Sequence, residues 1–164
     1  MTNTTATKKG TKFIYVTYIR TTQQKLWDAL LMPEFTKQYW RGCYHVCDWT
    51  KGAKWELFLS DGVSADSGEV LEIDPPNKLV VHWKHTLREE LLDEPASKLT
   101  FTLEDVGEII KLTVVHESQR DESKLIDAVS KGWPAILSSL KSLLECGKAH
   151  PGEAATSTAV CNIK

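Results

Sequence analysis

The chain has 164 residues and a formal net charge of −2, with 20 basic and 22 acidic side chains scattered along it and four cysteines that follow no framework spacing. That length supports one domain able to bury roughly two thirds of the surface its unfolded chain exposes, and the even spread of charge excludes a nucleic-acid footprint. No apolar run approaches the roughly 20 residues of a membrane span, and no charged, apolar, small-residue leader opens the chain, which predicts a cytoplasmic protein with free thiols.

Residues 1–11 are polar and Thr-rich and read as a disordered N-terminus. The folded domain is expected over 12–146. "KFIYVTYIR", from Lys12, is apolar on both faces and β-branched or aromatic, as a well-covered strand is. Thr21 with Gln24 makes a capping box ahead of Leu26, Trp27, Leu30 and Leu31 at helical spacing. Pro33 ends that helix and suits the first turn of a second, "EFTKQYW".

"RGCYHVCDW", from Arg41, places Cys43, His45, Cys47 and Trp49 at alternate positions. On a strand they share one face. The Cα atoms of Cys43 and Cys47 then lie roughly 13 Å apart, too far for a disulfide or a shared metal ion. No cofactor and no metal ligand set is expected. Strands follow near 43–49, 54–60, 63–74, 78–86, 97–105 and 109–117. Lys51-Gly52, Asp61-Gly62, Pro75-Pro76-Asn77 and Val106-Gly107 separate them, and links this short make antiparallel neighbours. The longer connection, "TLREELLDEPA" from Thr86, is acidic and reads as a loop or a short helical flap.

From Glu122 to Glu145, the residues Leu125, Ile126, Val129, Trp133, Ile136, Leu137, Leu140, Leu143 and Leu144 recur near a period of 3.6 and form one apolar stripe. Asp121 or Ser123 can cap this helix, Gly147 can end it, and Pro134 with Gly132 predicts a kink. Residues 147–164, small, polar and Pro/Gly-broken, read as a disordered tail. The whole describes an α+β domain in which a curved antiparallel sheet grips a long C-terminal helix, leaving a pocket where sheet and helix stand apart.

"KLWDAL" with Pro33, Phe35 and Trp40, then "DWTKGAKWE", "SGEVLEIDPPNKLV", "KLTVVHE" and "KGWPAILSSLKSLLE", resemble the homologues of the activator of the heat-shock-protein-90 ATPase. That family belongs to the START-related helix-grip superfamily, alongside polyketide cyclases and pollen allergens. The resemblance covers about residues 12–146. It implies a β-α-α-β6-α order and a cavity between sheet and last helix that holds a small, largely hydrophobic ligand. Its walls would be Trp27 and Trp40 from the short helices, Trp55 and Trp83 from strands, and Trp133, Leu137 and Leu140 from the last helix. Tyr39 stands where the family often has a tryptophan, and its hydroxyl, if buried, needs a partner. The resemblance also implies two alternatives, a co-chaperone-like module that contacts a chaperone or another protein, and a cyclase-like or hydrolytic enzyme. About eleven residues precede the first strand, where the eukaryotic co-chaperone has a further domain, so ATPase activation is not expected of this chain alone.

The other chemistry-bearing residues read mostly as structure. His45 suits a strand histidine with one hydrogen bond. His82 and His85 fall on opposite strand faces and cannot converge on a metal. "HESQR" has Arg120 where a zinc-protease helix needs histidine. His116 and Glu117 read as a solvated strand end or, functionally, as an acid/base couple at a cavity mouth. The acidic flap from Arg88 to Glu94 reads as a solvated loop or, functionally, as a lid or a contact for a basic partner.

Overall fold

The computed structural model describes residues 9–150. The disorder expected of 1–11 and of 147–164 falls largely outside the described residues. The elements run β1 (Thr11–Ile19), α1 (Gln23–Leu31), α2 (Pro33–Tyr39), β2 (Tyr44–Val46), β3 (Lys54–Phe58), β4 (Ser64–Asp74), β5 (Lys78–His85), a 3-10 turn at Glu89–Leu91, β6 (Ser97–Asp105), β7 (Ile110–Ser118) and α3 (Lys124–Cys146). The strands form one antiparallel sheet in the order β1-β7-β6-β5-β4-β3-β2. Consecutive strands from β2 to β7 are neighbours because their links are too short for crossovers. β1, separated from them by the two short helices, closes the far edge against β7. This is the helix-grip fold.

α3 lays Leu125, Ile126, Val129, Trp133, Ile136, Leu137 and Leu140 into the core. Burying a leucine or isoleucine side chain of this kind contributes about 1.5–3 kcal/mol each, so the stripe holds the helix to the sheet. Ser123 caps the helix by accepting the Ile126 amide, and Gly147 ends it at φ +76°. Asp121, the other candidate cap, instead accepts the Gly10 amide at 2.7 Å and ties down the start of β1. The helix runs through Pro134 as a single element.

Two local expectations shift. The cap of α1 is Thr22, whose hydroxyl accepts the Lys25 amide at 3.2 Å, and Gln24 bonds Asp28 instead of closing a box with Thr21. β2 covers only Tyr44–Val46, because the backbone turns at Trp49, where φ is +48°. Cys47 and Cys146 are free thiols, as the sequence predicts of them.

The middle of the sheet is distorted by design of its residues. Trp55 pairs with Gly68, and its indole N–H reaches across to the His82 carbonyl at 3.0 Å. A Cβ on Gly68 would sit 1.7 Å from that carbonyl oxygen. Only glycine allows so close an approach. Register shifts flank it between Leu57 and Phe58 and between Val70 and Glu72, and bulges of this kind bend a strand and increase its twist. Among the described residues, no helix is long and apolar enough to cross a membrane.

Candidate functional site

Four of the expected wall residues meet in one aromatic cluster. Trp40, at the end of α2, lies 6.4 Å from Trp83 and 5.4 Å from Trp133 by ring centroids, and Trp55 lies 4.8 Å from Trp83. Trp83 and Trp133 meet edge to face at 6.0 Å. All four are at most 2 % exposed. Trp27, Leu137 and Leu140 belong to the same core, but Trp27 has no ring contact with this cluster. Tyr39 buries its hydroxyl and donates it to the Ala29 carbonyl at 2.9 Å, the partner a buried phenol needs.

His45 sits edge-on against Trp40, Trp49 and Trp55 at 5.3, 5.8 and 6.0 Å. Burial pulls its pKa down to about 4, so the ring is neutral near pH 7. Its Nδ1 has no hydrogen-bond partner, contrary to the single bond expected, and neither has the adjacent Trp40 indole nitrogen. More than nine in ten buried polar groups are paired in folded proteins, so two orphans side by side mark an unusual spot.

His116 is a correction. It is not a solvated strand end or a cavity mouth but fully buried between Trp83 and Trp133, because its position on β7 faces inward. Trp133 donates its indole N–H to Nδ1 at 3.2 Å, which fixes the proton on Nε2. Nε2 then donates to Ser97 Oγ at 2.7 Å, and the serine hydroxyl donates to the Trp83 carbonyl at 3.1 Å. Burial lowers the His116 pKa to about 3. Glu117 points the other way, to Lys98 at 3.2 Å and Lys12 at 3.8 Å, so the two are no acid/base couple.

Sequence reasoning missed a second buried histidine. His85, at the end of β5, is 2 % exposed, and its Nδ1 lies 2.7 Å from Oδ1 of the fully buried Asp66. Trp83 donates its indole N–H to the same oxygen at 2.9 Å. Burial raises the Asp66 pKa, while the bonds from His85 and Trp83 oppose that rise. Asp66 Oδ2 and His85 Nε2 have no partner. The register aligns His45, Leu57, Asp66 and His85 as one row across β2, β3, β4 and β5. His85 was legible in phase with the inward Val81 and Trp83. Asp66 was not, because the bulge at Leu57/Phe58 breaks the alternation beside it.

The acidic flap after His85 is no solvated loop at its two anchor residues. Leu91 is buried in the core, and Glu94, 2 % exposed, accepts from Ser123 Oγ at 2.7 Å, from the Lys124 amide at 3.1 Å and from Arg120 Nη1 at 3.1 Å. Burial alone would raise the Glu94 pKa, but these donors outweigh it and hold the carboxyl below its usual range. Lys84 Nζ reaches the Leu92 carbonyl at 2.7 Å and the Glu94 carbonyl as well. The flap is thus strapped to the start of α3 and to β5.

Two of the hollows formed by described residues bear on the expected site. One, of about 590 Å³, lies between β1 and the start of α3, with Phe13 and Ile126 among Thr11, Lys12, Glu122, Ser123, Lys124, Asp127 and Ser130. The other, of about 650 Å³, lies on the outer face of β3 to β5, where Trp55 and Gly68 are flanked by Lys54, Glu56, Ser64, Ser67, Glu69, His82 and Thr86. Of the seven expected wall residues, Trp55 reaches the second hollow and the other six line neither. Among the described residues, no group of three or more His, Cys, Asp or Glu is placed to hold a metal ion.

The sequence model described as "Activator of Hsp90 ATPase homolog 1-like protein" matches residues 20–145. The chain belongs to that family. No curated protein matches the sequence significantly. Among solved structures, the protein MLL2253 from Mesorhizobium loti is similar at 21% identity and a TM-score of 0.70, over 82% of this chain and 96% of that one. The Aha1 dimer from Colwellia psychrerythraea matches at 20% identity and a TM-score of 0.65, over 85% and 99%. PFC0360w from Plasmodium falciparum, described as an HSP90 activator, matches at 23% identity and a TM-score of 0.61, over 76% and 88%. At these identities the neighbours of this activator-of-Hsp90-ATPase-like chain establish its fold. Fold alone does not assign function, which rests on the geometry above.

Proposed function

We propose that this protein binds a small, largely hydrophobic molecule between the sheet and α3, against the indoles of Trp40, Trp55, Trp83 and Trp133. The observation that carries the reading is the adjacent, unpartnered pair of Trp40 Nε1 and His45 Nδ1 inside an aromatic enclosure. Ligand sites are mostly apolar with a few convergent polar groups, and this is such a set. Trp27, Leu137 and Leu140 extend the apolar lining within the same core. The indoles touch one another, so a ligand takes its place by turning one of them aside. The hollow between Phe13 and Ile126 offers an approach between sheet and helix. Titrating a panel of hydrophobic ligands while following tryptophan emission tests the proposal. Saturable change with at least one compound, lost in Trp40→Phe, is expected. Unchanged emission across the panel overturns it.

A second reading has its own support. Ile14, Val16 and Tyr18 on the edge strand β1 are 57, 44 and 48% exposed and share the outer face of the sheet. A contiguous apolar stripe of this kind suits a protein partner, and a chaperone is the partner the family implies. Pull-down by an Hsp90-type chaperone, abolished in Val16→Lys, is the expected result of that alternative.

A further inference from the structure

Of residues 86–96, the strap that joins β5 to β6, only Leu91 and Glu94 are buried. Its one regular element is the 3-10 turn Glu89–Leu91. Fixing the backbone of a residue costs about as much free energy as burying a leucine returns, so packing holds a segment of this length weakly. What secures it is a polar clasp. Glu94 Oε2 accepts from Ser123 Oγ at 2.7 Å, and Oε1 accepts from the Lys124 amide and from Arg120 Nη1, each at 3.1 Å. Arg120 Nη2 donates to the Asp93 carbonyl at 3.0 Å, and Lys84 Nζ reaches the Leu92 and Glu94 carbonyls. Each of these donors lies outside the strap. The two ends are firm: Thr86 donates its amide and its hydroxyl to the Ala65 carbonyl at 2.9 and 3.0 Å, and Ser97 bonds the Trp83 carbonyl and His116. The clasp also stands at the rim of a hollow, because Ser123 and Lys124 line the space of about 590 Å³ between β1 and α3.

We propose that residues 86–96 form a latch that lifts as one piece, taking Leu91 out of the core while the sheet and α3 stay folded, and that a small molecule passes into the core by this opening. The passage role rests on the reading that such a molecule binds there; the latch motion does not. A segment fixed at both ends and clasped in its middle opens as a unit, since releasing Glu94 frees the strap on both sides of it. Lifting it withdraws a leucine from the core and a carboxylate from the start of α3, and so widens the hollow that Ser123 and Lys124 line.

Native-state hydrogen exchange on the wild-type chain reads the latch. The amides of Leu91, Leu92, Glu94 and Lys124 should exchange through one shared opening, at least about 100-fold more readily than Val114 in the middle of the sheet. In Glu94→Ala the amides of Leu91, Leu92 and Lys124 should quicken together by about 10- to 100-fold, the range of a lost hydrogen bond to a charged group. Ile126, whose amide is capped by Ser123 Oγ and not by Glu94, should not change, which separates a lifting strap from a fraying helix. Stopped-flow mixing with anilinonaphthalene sulfonate reads the passage. Its association and dissociation should quicken by the same factor in Glu94→Ala, with Kd unchanged, because the closed strap is weakened equally with and without the probe. Unrelated exchange at the four wild-type amides, or exchange only together with Val114, overturns the latch and leaves the apolar site standing. Equal probe rates in the two chains overturn the passage role. Absence of saturable binding by the wild type, for this probe and for the hydrophobic panel alike, overturns the ligand reading and the passage role with it, while the exchange result still decides the latch.

Discussion

Two buried histidine clusters share this core, and they differ in completeness. Around His116 every polar atom is occupied, with Trp133 on one nitrogen, Ser97 on the other and the serine passed on to a backbone carbonyl. Around His45, Asp66 and His85 the inner contacts are just as close, yet Trp40 Nε1, His45 Nδ1, Asp66 Oδ2 and His85 Nε2 are bare. Both are buried. The first behaves as architecture, since an unmade bond there would cost stability with no return. The second keeps unmade bonds in a protein that needs every kilocalorie, which supports the proposed binding site.

The comparison can be broken in four places. Trp133→Ala removes an indole that touches Trp40, Trp83, Phe101 and His116, and it should cost about 3–5 kcal/mol in urea unfolding. A loss under about 1 kcal/mol would mean that the complete cluster is not the keystone described. Acidification comes next. The unfolded histidines titrate near 6.5, whereas His116 and His45 are held down to about 3 and about 4. Below pH 6.5 the unfolded chain therefore binds protons that the native chain refuses. Their stability contribution is whole above that pH and falls by about 1.4 kcal/mol per unit for each histidine as pH drops toward the folded values. Urea midpoints at pH 7 and pH 5 should differ accordingly, and His45→Phe should remove about half of the histidine share.

Smaller effects sharpen the contrast. Ser97→Ala strands the His116 Nε2–H and should cost about 1–3 kcal/mol, whereas His45→Phe at pH 7 should lie within about 1 kcal/mol of wild type, since it removes an unpaired nitrogen and keeps a ring. Equal penalties for the two would erase the distinction between occupied and bare. As a baseline, Lys131→Ala breaks an exposed helical ion pair of 2.7 Å with Asp127 and should cost no more than about 0.5 kcal/mol in the same assay.

The architecture was legible because hydrophobic period and turn chemistry are local. The alternation from Lys78 to His85, the stripe from Leu125 to Leu140 and the Ser123 cap each follow from residues a few positions apart. The site was legible only in part. The indoles announce themselves, and Trp40, Trp55, Trp83 and Trp133 do converge. Asp66 meets His85 through cross-strand register set by a bulge, which no spacing in "SADSGEV" encodes. Glu94 reads as one more acid in a polar loop, and its burial follows from where the start of α3 comes to rest. His116 was misplaced for the converse reason: its approach to a strand end suggested water, but the neighbouring elements fold over it.

Gly68 carries a consequence for the stiffness of the sheet. With the His82 carbonyl so near that even one added carbon would collide, and the Trp55 ring anchored over the gap, the bend of the central strands is locked in by covalent geometry and steric contact. The sheet is then the stiff jaw of the vice. Under the proposed ligand reading, adjustment to a guest falls to the opposite jaw, α3 and the strap buckled to it by one carboxylate.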